Sequence, residues 1–109
     1  NSPAGQPVKV VWSSVAIERA VEEARFIAED RPEAANRWLD GLFKIVDRLE
    51  IFPESGHAVP EMPNTKYRQL TYKSHRVVFS VEPKTVHILT VRRFKQRLEA
   101  ADLESQPAG

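Results

Sequence analysis

The chain contains no cysteine, and this one absence excludes disulfides, zinc–thiolate sites, iron–sulfur clusters and thiol nucleophiles together. No apolar run approaches the roughly 20 residues that a membrane-spanning helix needs. Nothing at the N-terminal end has the basic-then-apolar pattern of a secretory signal. His, Asp and Glu form no cluster at ligand spacing, so neither a metal nor a cofactor is expected. Net charge is nearly absent as well: 16 Lys and Arg face 15 Asp and Glu in 109 residues, a formal +1. These lacks are compatible with a small domain without a prosthetic group, and the expected location is the cytoplasm. The hydrophobic fraction of 41% is enough for one core.

The near-zero net charge hides an asymmetry. Residues 1–65 hold seven basic against eleven acidic residues, a balance of −4. Residues 66–97 hold nine basic residues against one acid, Glu82, a balance of +8. Residues 98–109 add Glu99, Asp102 and Glu104, a balance of −3. Clustering of one sign bears on partners more than the total does.

Residues 1–7 (Asn-Ser-Pro-Ala-Gly-Gln-Pro) read as a flexible lead, 8–97 as a single domain and 98–109 as a tail. Val8–Trp12 is a short strand by its β-branched content, and Ser13 and Ser14 offer N-caps. A first helix over about 14–29 follows. Ile17, Ala20, Val21, Ala24, Ile27 and Ala28 form its apolar stripe, and Phe26 lies roughly opposite. Asp30-Arg31-Pro32 breaks it and starts a second helix over about 32–51. Its apolar face is Ala35, Trp38, Leu39, Leu42, Val46 and Leu49, widened by Phe43 and Ile45, with Trp38 and Phe43 expected in the core. The pair reads as an antiparallel helical hairpin. Pro60 and Pro63 keep the segment to about residue 65 extended.

The period then changes to two. Tyr67–Tyr72, Arg76–Val81 and Val86–Val91 are strands of an antiparallel meander. A Ser74-His75 turn sets Leu70 opposite Phe79, and a Pro83-Lys84 turn sets Val81, Phe79 and Val77 opposite Val86, Ile88 and Thr90. The other face then carries Gln69, Thr71, Lys73, Arg76, Val78, Ser80, His87, Leu89, Val91 and Arg93. It is half apolar and half basic, a surface suited to a partner. Arg68 falls on the helix side, as a rim residue paired with Glu50 or Glu54. The expected class is α+β in the order β-α-α-β-β-β, with a short C-terminal helix or tail.

Several stretches carry a resemblance in their order and spacing. They are Val-Val-Trp-Ser-Ser-Val-Ala (10–16), Phe-Ile-Ala (26–28), Pro-Glu-Ala-Ala (32–35) and Leu-Glu-Ile-Phe-Pro-Glu-Ser-Gly-His-Ala-Val-Pro-Glu (49–61). Tyr-Arg-Gln-Leu (67–70), His-Arg-Val-Val-Phe (75–79) and Val-His-Ile-Leu-Thr-Val-Arg-Arg (86–93) complete the set. Over residues 8–95 the chain resembles the RelE/ParE superfamily of toxins of type II toxin–antitoxin modules, often called plasmid-stabilisation proteins. The resemblance implies a helical hairpin beside a small sheet and neutralisation by a cognate antitoxin. RelE-like members cut mRNA on the ribosome, whereas ParE-like members inhibit DNA gyrase. The long hairpin and the Pro-x-x-Gly-x-x-x-Pro-Glu loop (53–61) look more like the ParE branch.

RNA cleavage by 2′-OH attack needs a base, an acid and a stabiliser of the phosphorane charge. RelE-like enzymes resemble one another in taking Lys and Arg from the central strands and Tyr or His from the C-terminal segment. Here Arg76 matches the strand Arg, Gln69 stands near the expected Lys, and Phe94 follows Arg93 with no Tyr or His beyond it. The nuclease candidates are therefore Arg76, His75, Arg92 and Arg93, an incomplete set. His75 reads as a turn residue, and His87 is similar on the outer face. Arg92, Arg93, Lys95, Arg97 and Lys73 are candidate contacts for phosphate or a target protein, or a solvated strand end. Phe26, Val78, Leu89, Val91 and Arg76 are the candidate antitoxin-binding residues. The leading expectation is a gyrase-inhibiting toxin; an mRNA endonuclease and a non-toxic binding module are the alternatives.

Overall fold

A computed structural model describes residues 8–104, so the lead expected at 1–7 and the end of the tail lie outside the described residues. Strand β1 (Lys9–Trp12) leads directly into helix α1 (Ser14–Ala28). The Ser13 hydroxyl caps α1 by accepting from the Ala16 N–H at 3.0 Å. The same hydroxyl donates to the Leu89 carbonyl at 2.9 Å, which ties the start of the helix to the sheet.

The buried face of α1 is Ala16, Ala20 and Ala24, a stripe of small residues four apart. Ile17 and Val21, expected inside, are 42% and 37% exposed. The alanines carry no bulk beyond Cβ, so this is the face on which α1 can lie closest to its neighbours. The larger side chains move to the flank. Helix α2 (Pro32–Asp47) begins with Pro32 in its first turn and buries Ala35, Trp38, Leu42 and Val46. It ends at Asp47 and passes into a 3-10 turn, Arg48–Glu50, whose Leu49 is also buried. Phe43 is half exposed rather than in the core, with its ring edge against Trp12 at 5.3 Å.

Strands β2 (His57–Ala58), β3 (Tyr67–Tyr72), β4 (His75–Val81) and β5 (Thr85–Arg93) complete a five-stranded sheet ordered β1-β5-β4-β3-β2. The meander is antiparallel, and β1 joins it parallel to β5. The α+β architecture agrees with the expected β-α-α-β-β-β, except that the segment expected only to be extended adds the two-residue edge strand β2. Two registers differ from the expectation. The β3–β4 turn is Lys73-Ser74, so Leu70 faces Val77 and Arg68 faces Phe79. This two-residue shift keeps each side chain on its face. His75 is thereby not in the turn but is the first, buried residue of β4.

The second difference does change faces. The β4–β5 pairing holds as expected from Val81↔Val86 to Phe79↔Ile88, then a bulge slips it. Val78 pairs with Thr90 and Val77 with Val91. One extra residue at Leu89 reverses everything after it. Val91 turns into the main core with Val77 and Phe79, and Thr90 and Arg92 turn to the outer face.

Lys73 occupies the left-handed region, with φ of 53°. A β-branched side chain is strained there. Lys73→Val is expected to unfold at lower denaturant than Lys73→Gly, with about 1–2 kcal/mol between the two variants. Denaturant midpoints of the pair measure it.

Candidate functional site

The outer face of the sheet is where sequence reasoning placed the contacts, and most of it is covered. β4 is buried on both faces from His75 to Ser80. Val78, Leu89 and Val91, expected to meet an antitoxin, are all buried within the chain: Val91 in the helix-side core, Val78 and Leu89 outside that cluster. Val59, directly after β2, is fully buried as well.

Arg76 is only 4% exposed. Its guanidinium donates twice to the Glu61 carboxylate, at 2.8 and 2.6 Å. It also donates to Gln69 Oε1 at 3.1 Å and to the Gln96 carbonyl at 2.9 Å. Planar two-point pairing with a carboxylate is the strongest contact a guanidinium makes. The Arg76 hydrogen bond holds the Glu61 carboxyl down to about 2, against an ordinary 4.5. Arg76 is thus a strut between β4, the Pro60-Glu61 loop and the segment after β5.

Arg92 is held similarly. It donates to Asp102 through Nε and Nη2, at 3.1 and 3.0 Å, and to Glu99 at 2.7 Å. Both acids come from the tail, which forms the one-turn helix α3 (Ala100–Leu103). Burial pushes the Asp102 carboxyl up. Hydrogen bonds from the Glu99 N–H, the Thr90 hydroxyl and Arg92 outweigh it and hold the group below the ordinary carboxylate range. Burial likewise lowers Arg92, and its two acids more than compensate.

His75 and Arg93 share one acid. His75 Nε2 lies 2.8 Å from Glu23 Oε1, and Arg93 Nε donates to the same oxygen at 3.2 Å. The His75 ring meets the edge of Trp38 at 5.1 Å, and the Arg93 guanidinium lies over Phe26 at 4.9 Å. Phe26 remains 58% exposed. Arg68, expected to pair with Glu50 or Glu54, instead donates to the Gly56 carbonyl. Lys73 sits in its turn with its amine over the Tyr72 ring at 5.8 Å. Lys95 and Arg97 are exposed and pair with no acid among the described residues.

The accessible remainder of the predicted set is Phe26, Lys73, Arg93, Lys95 and Arg97, of which the structure brings Phe26 and Arg93 into contact. Sequence reasoning missed Glu61 and Asp102, the acids that occupy Arg76 and Arg92. Glu61 stood in a quoted motif, but nothing local linked it to a strand 15 residues on. Elsewhere, Ile51, Phe52, Pro53, Ile45 and Leu70 line an open groove of about 640 Å³. Among the described residues no group of three His, Cys, Asp or Glu side chains is placed to hold a metal, and no helix is long and apolar enough to cross a membrane.

The family model for the "ParE toxin of type II toxin-antitoxin system, parDE" matches residues 10–98. The chain belongs to the ParE toxin family. The hairpin-and-sheet fold of this ParE-family chain is also that of solved structures. The chromosomal ParDE toxin–antitoxin system of P. aeruginosa superposes with a TM-score of 0.69 at 20% identity, covering 81% of this chain and 97% of that one. The toxin–antitoxin complex RelBE2 of Mycobacterium tuberculosis superposes with a TM-score of 0.53 at 15% identity, over 80% and 98%. At such identities both likenesses are of fold. No curated protein matches the sequence.

Proposed function

We propose that this ParE-family toxin inhibits DNA gyrase by protein–protein contact in the cytoplasm, serves plasmid stabilisation, and is neutralised by a cognate antitoxin. One observation carries the reading. The guanidinium required to stabilise a phosphorane, Arg76, is buried and doubly bonded to Glu61. His75 and Arg92 are similarly engaged, with Glu23 and with Asp102. A phosphodiester would have to displace a carboxylate at each of these three side chains. Of the nuclease candidates Arg93 alone stays exposed, and one accessible guanidinium without an acid and a base beside it favours protein–protein inhibition over strand cleavage. The solved toxin–antitoxin systems of the same fold support an antitoxin partner.

Purified gyrase gives the test. The chain is expected to arrest supercoiling while leaving mRNA intact in a translating extract. Transcript cleavage with undisturbed supercoiling overturns the reading in favour of the ribosome-dependent endonuclease. Normal growth after induction favours the non-toxic binding module. Copurification with the acidic product of an adjacent gene tests the antitoxin. Lys95 and Arg97 are free to meet a target, so Lys95→Ala with Arg97→Ala should weaken gyrase inhibition roughly tenfold without altering the fold. Inhibition titrations at low and high salt measure that loss.

A further inference from the structure

The segment after the family match is built into the molecule by charge. Residues 99–104 lie beyond the matched stretch 10–98. Within them α3 has only four residues, too few to hold a helix alone. Its anchor is Asp102, whose side chain is 0% exposed. Thr90 Oγ1 donates to Asp102 Oδ1 at 2.7 Å, and Arg92 donates to both carboxylate oxygens. Arg19 Nε of α1 donates to Asp102 at 3.4 Å, and its Nη2 to Glu99 at 3.4 Å. Glu99 also accepts from Arg92 at 2.7 Å, although most of its side chain faces solvent. The Asp102 carboxylate accepts the Glu99 N–H at 2.8 Å, closing the turn.

Removing the segment in thought leaves two guanidinium groups from different elements and a hydroxyl converging on one point. This is a carboxylate-binding site assembled by the family fold and filled in cis. Edge geometry explains its position. β1 pairs with β5 only as far as Trp12↔Ile88, and Ser13 then bonds Ile88 and Leu89 as α1 begins. Among the described residues no strand lies beside the end of β5 beyond the bulge on that side, and α3 packs there against β5 and α1.

We infer that Arg19, Thr90 and Arg92 form a latent site for an acidic peptide bearing two carboxylates three residues apart, with Glu99 and Asp102 as its intramolecular ligand. An outside peptide of that kind gains access when residues 99–104 lift away. Exposed and partly exposed ion pairs are the weak ones, so opening begins at Glu99 and Arg19 and ends at buried Asp102. Naming an antitoxin segment as the competitor rests on the proposed function. The site itself does not, and the test below uses neither gyrase nor antitoxin.

The probe is the peptide Leu-Glu-Ala-Ala-Asp-Leu-Glu, titrated calorimetrically into the full chain and into its Glu99→Gln, Asp102→Asn variant. The variant is expected to bind the peptide at least tenfold tighter than the parent chain, because the competing acids are gone. The control Leu-Gln-Ala-Ala-Asn-Leu-Glu, which keeps only the last of the three acids, should not bind. Equal affinity for chain and variant, or for the probe and its Gln/Asn control, overturns the inference. Where the variant fails to fold, hydrogen exchange on the parent chain decides. Amides of 99–104 should exchange faster than those of Val77–Phe79, and faster again when salt is raised from about 0.05 to about 0.5 M. Protection of both segments to the same degree, insensitive to salt, overturns it.

Discussion

Glu61→Ala is expected to lower the unfolding free energy by about 3 kcal/mol, and Arg76→Met by less. The two ends of this pair lie in different surroundings. Glu61 is 38% exposed, so it returns to water when its partner is removed. Arg76 is 4% exposed and does not. Without Glu61 it keeps the neutral acceptors Gln69 and the Gln96 carbonyl but loses its counter-charge. A buried uncompensated charge costs more than the ion pair contributes. Urea midpoints of the two single variants and the double variant measure the asymmetry. Equal losses from both single changes would show that the Arg76 guanidinium is solvated.

The same pair sets an acid dependence. Arg76 holds the Glu61 carboxyl near 2 in the folded chain, below its ordinary 4.5. A group depressed on folding stabilises the fold above its ordinary value and loses that contribution as pH falls toward the depressed one. Stability should therefore be insensitive to this pair above about pH 5 and decline from about pH 4.5 toward pH 2. Glu61→Gln should flatten that part of the profile.

Gly41→Ala is expected to cost about 2 kcal/mol, although alanine is the better helix former. A Cβ at position 41 would collide with the Tyr72 hydroxyl and lie 3.1 Å from the ring carbon that bears it. That hydroxyl donates to the Trp38 carbonyl at 2.8 Å, a second bond on a carbonyl inside α2. The Tyr72 ring packs on Trp38 at 5.8 Å, and Trp38 in turn meets His75. Tyr72 is only 8% exposed, so it cannot swing out into solvent without leaving these contacts. Displacing it breaks a buried hydrogen bond, worth about 1 kcal/mol net, and strains the core. The alanine recovers up to about 1 kcal/mol through helix propensity. Tyr72→Phe removes the colliding oxygen, so Gly41→Ala in that background should be close to neutral. The double-mutant cycle should show a coupling of about 1–2 kcal/mol. A coupling near zero would mean that the glycine serves some other purpose.

Much of the architecture was legible because it rests on short-range signals. Helical spacing marked both helices, Pro32 marked the start of the second, and period-two runs marked the meander. The pairing of Val81, Ser80 and Phe79 with Val86, His87 and Ile88 followed from a turn only a few residues away. Legibility ended at Leu89. A bulge is one inserted residue with no distinctive composition here, yet it exchanged the faces of Val91 and Arg92. The stripe of α1 was misplaced for a related reason. Spacing records which residues share a face, while Ala16, Ala20 and Ala24 were selected by how closely the helix packs.

The site divides in the same way. By itself the sequence determined the family, the order of elements and the concentration of positive charge in residues 66–97, because these reside in residue types and near-neighbour spacing. Only the tertiary structure decided which of those charges are available. Arg76 meets an acid 15 residues away, Arg93 meets Glu23 across 70, and Arg19 meets Asp102 across 83. Pairing over such separations depends on which loop crosses which strand. Once buried, a charge must take whichever partner the fold brings to it.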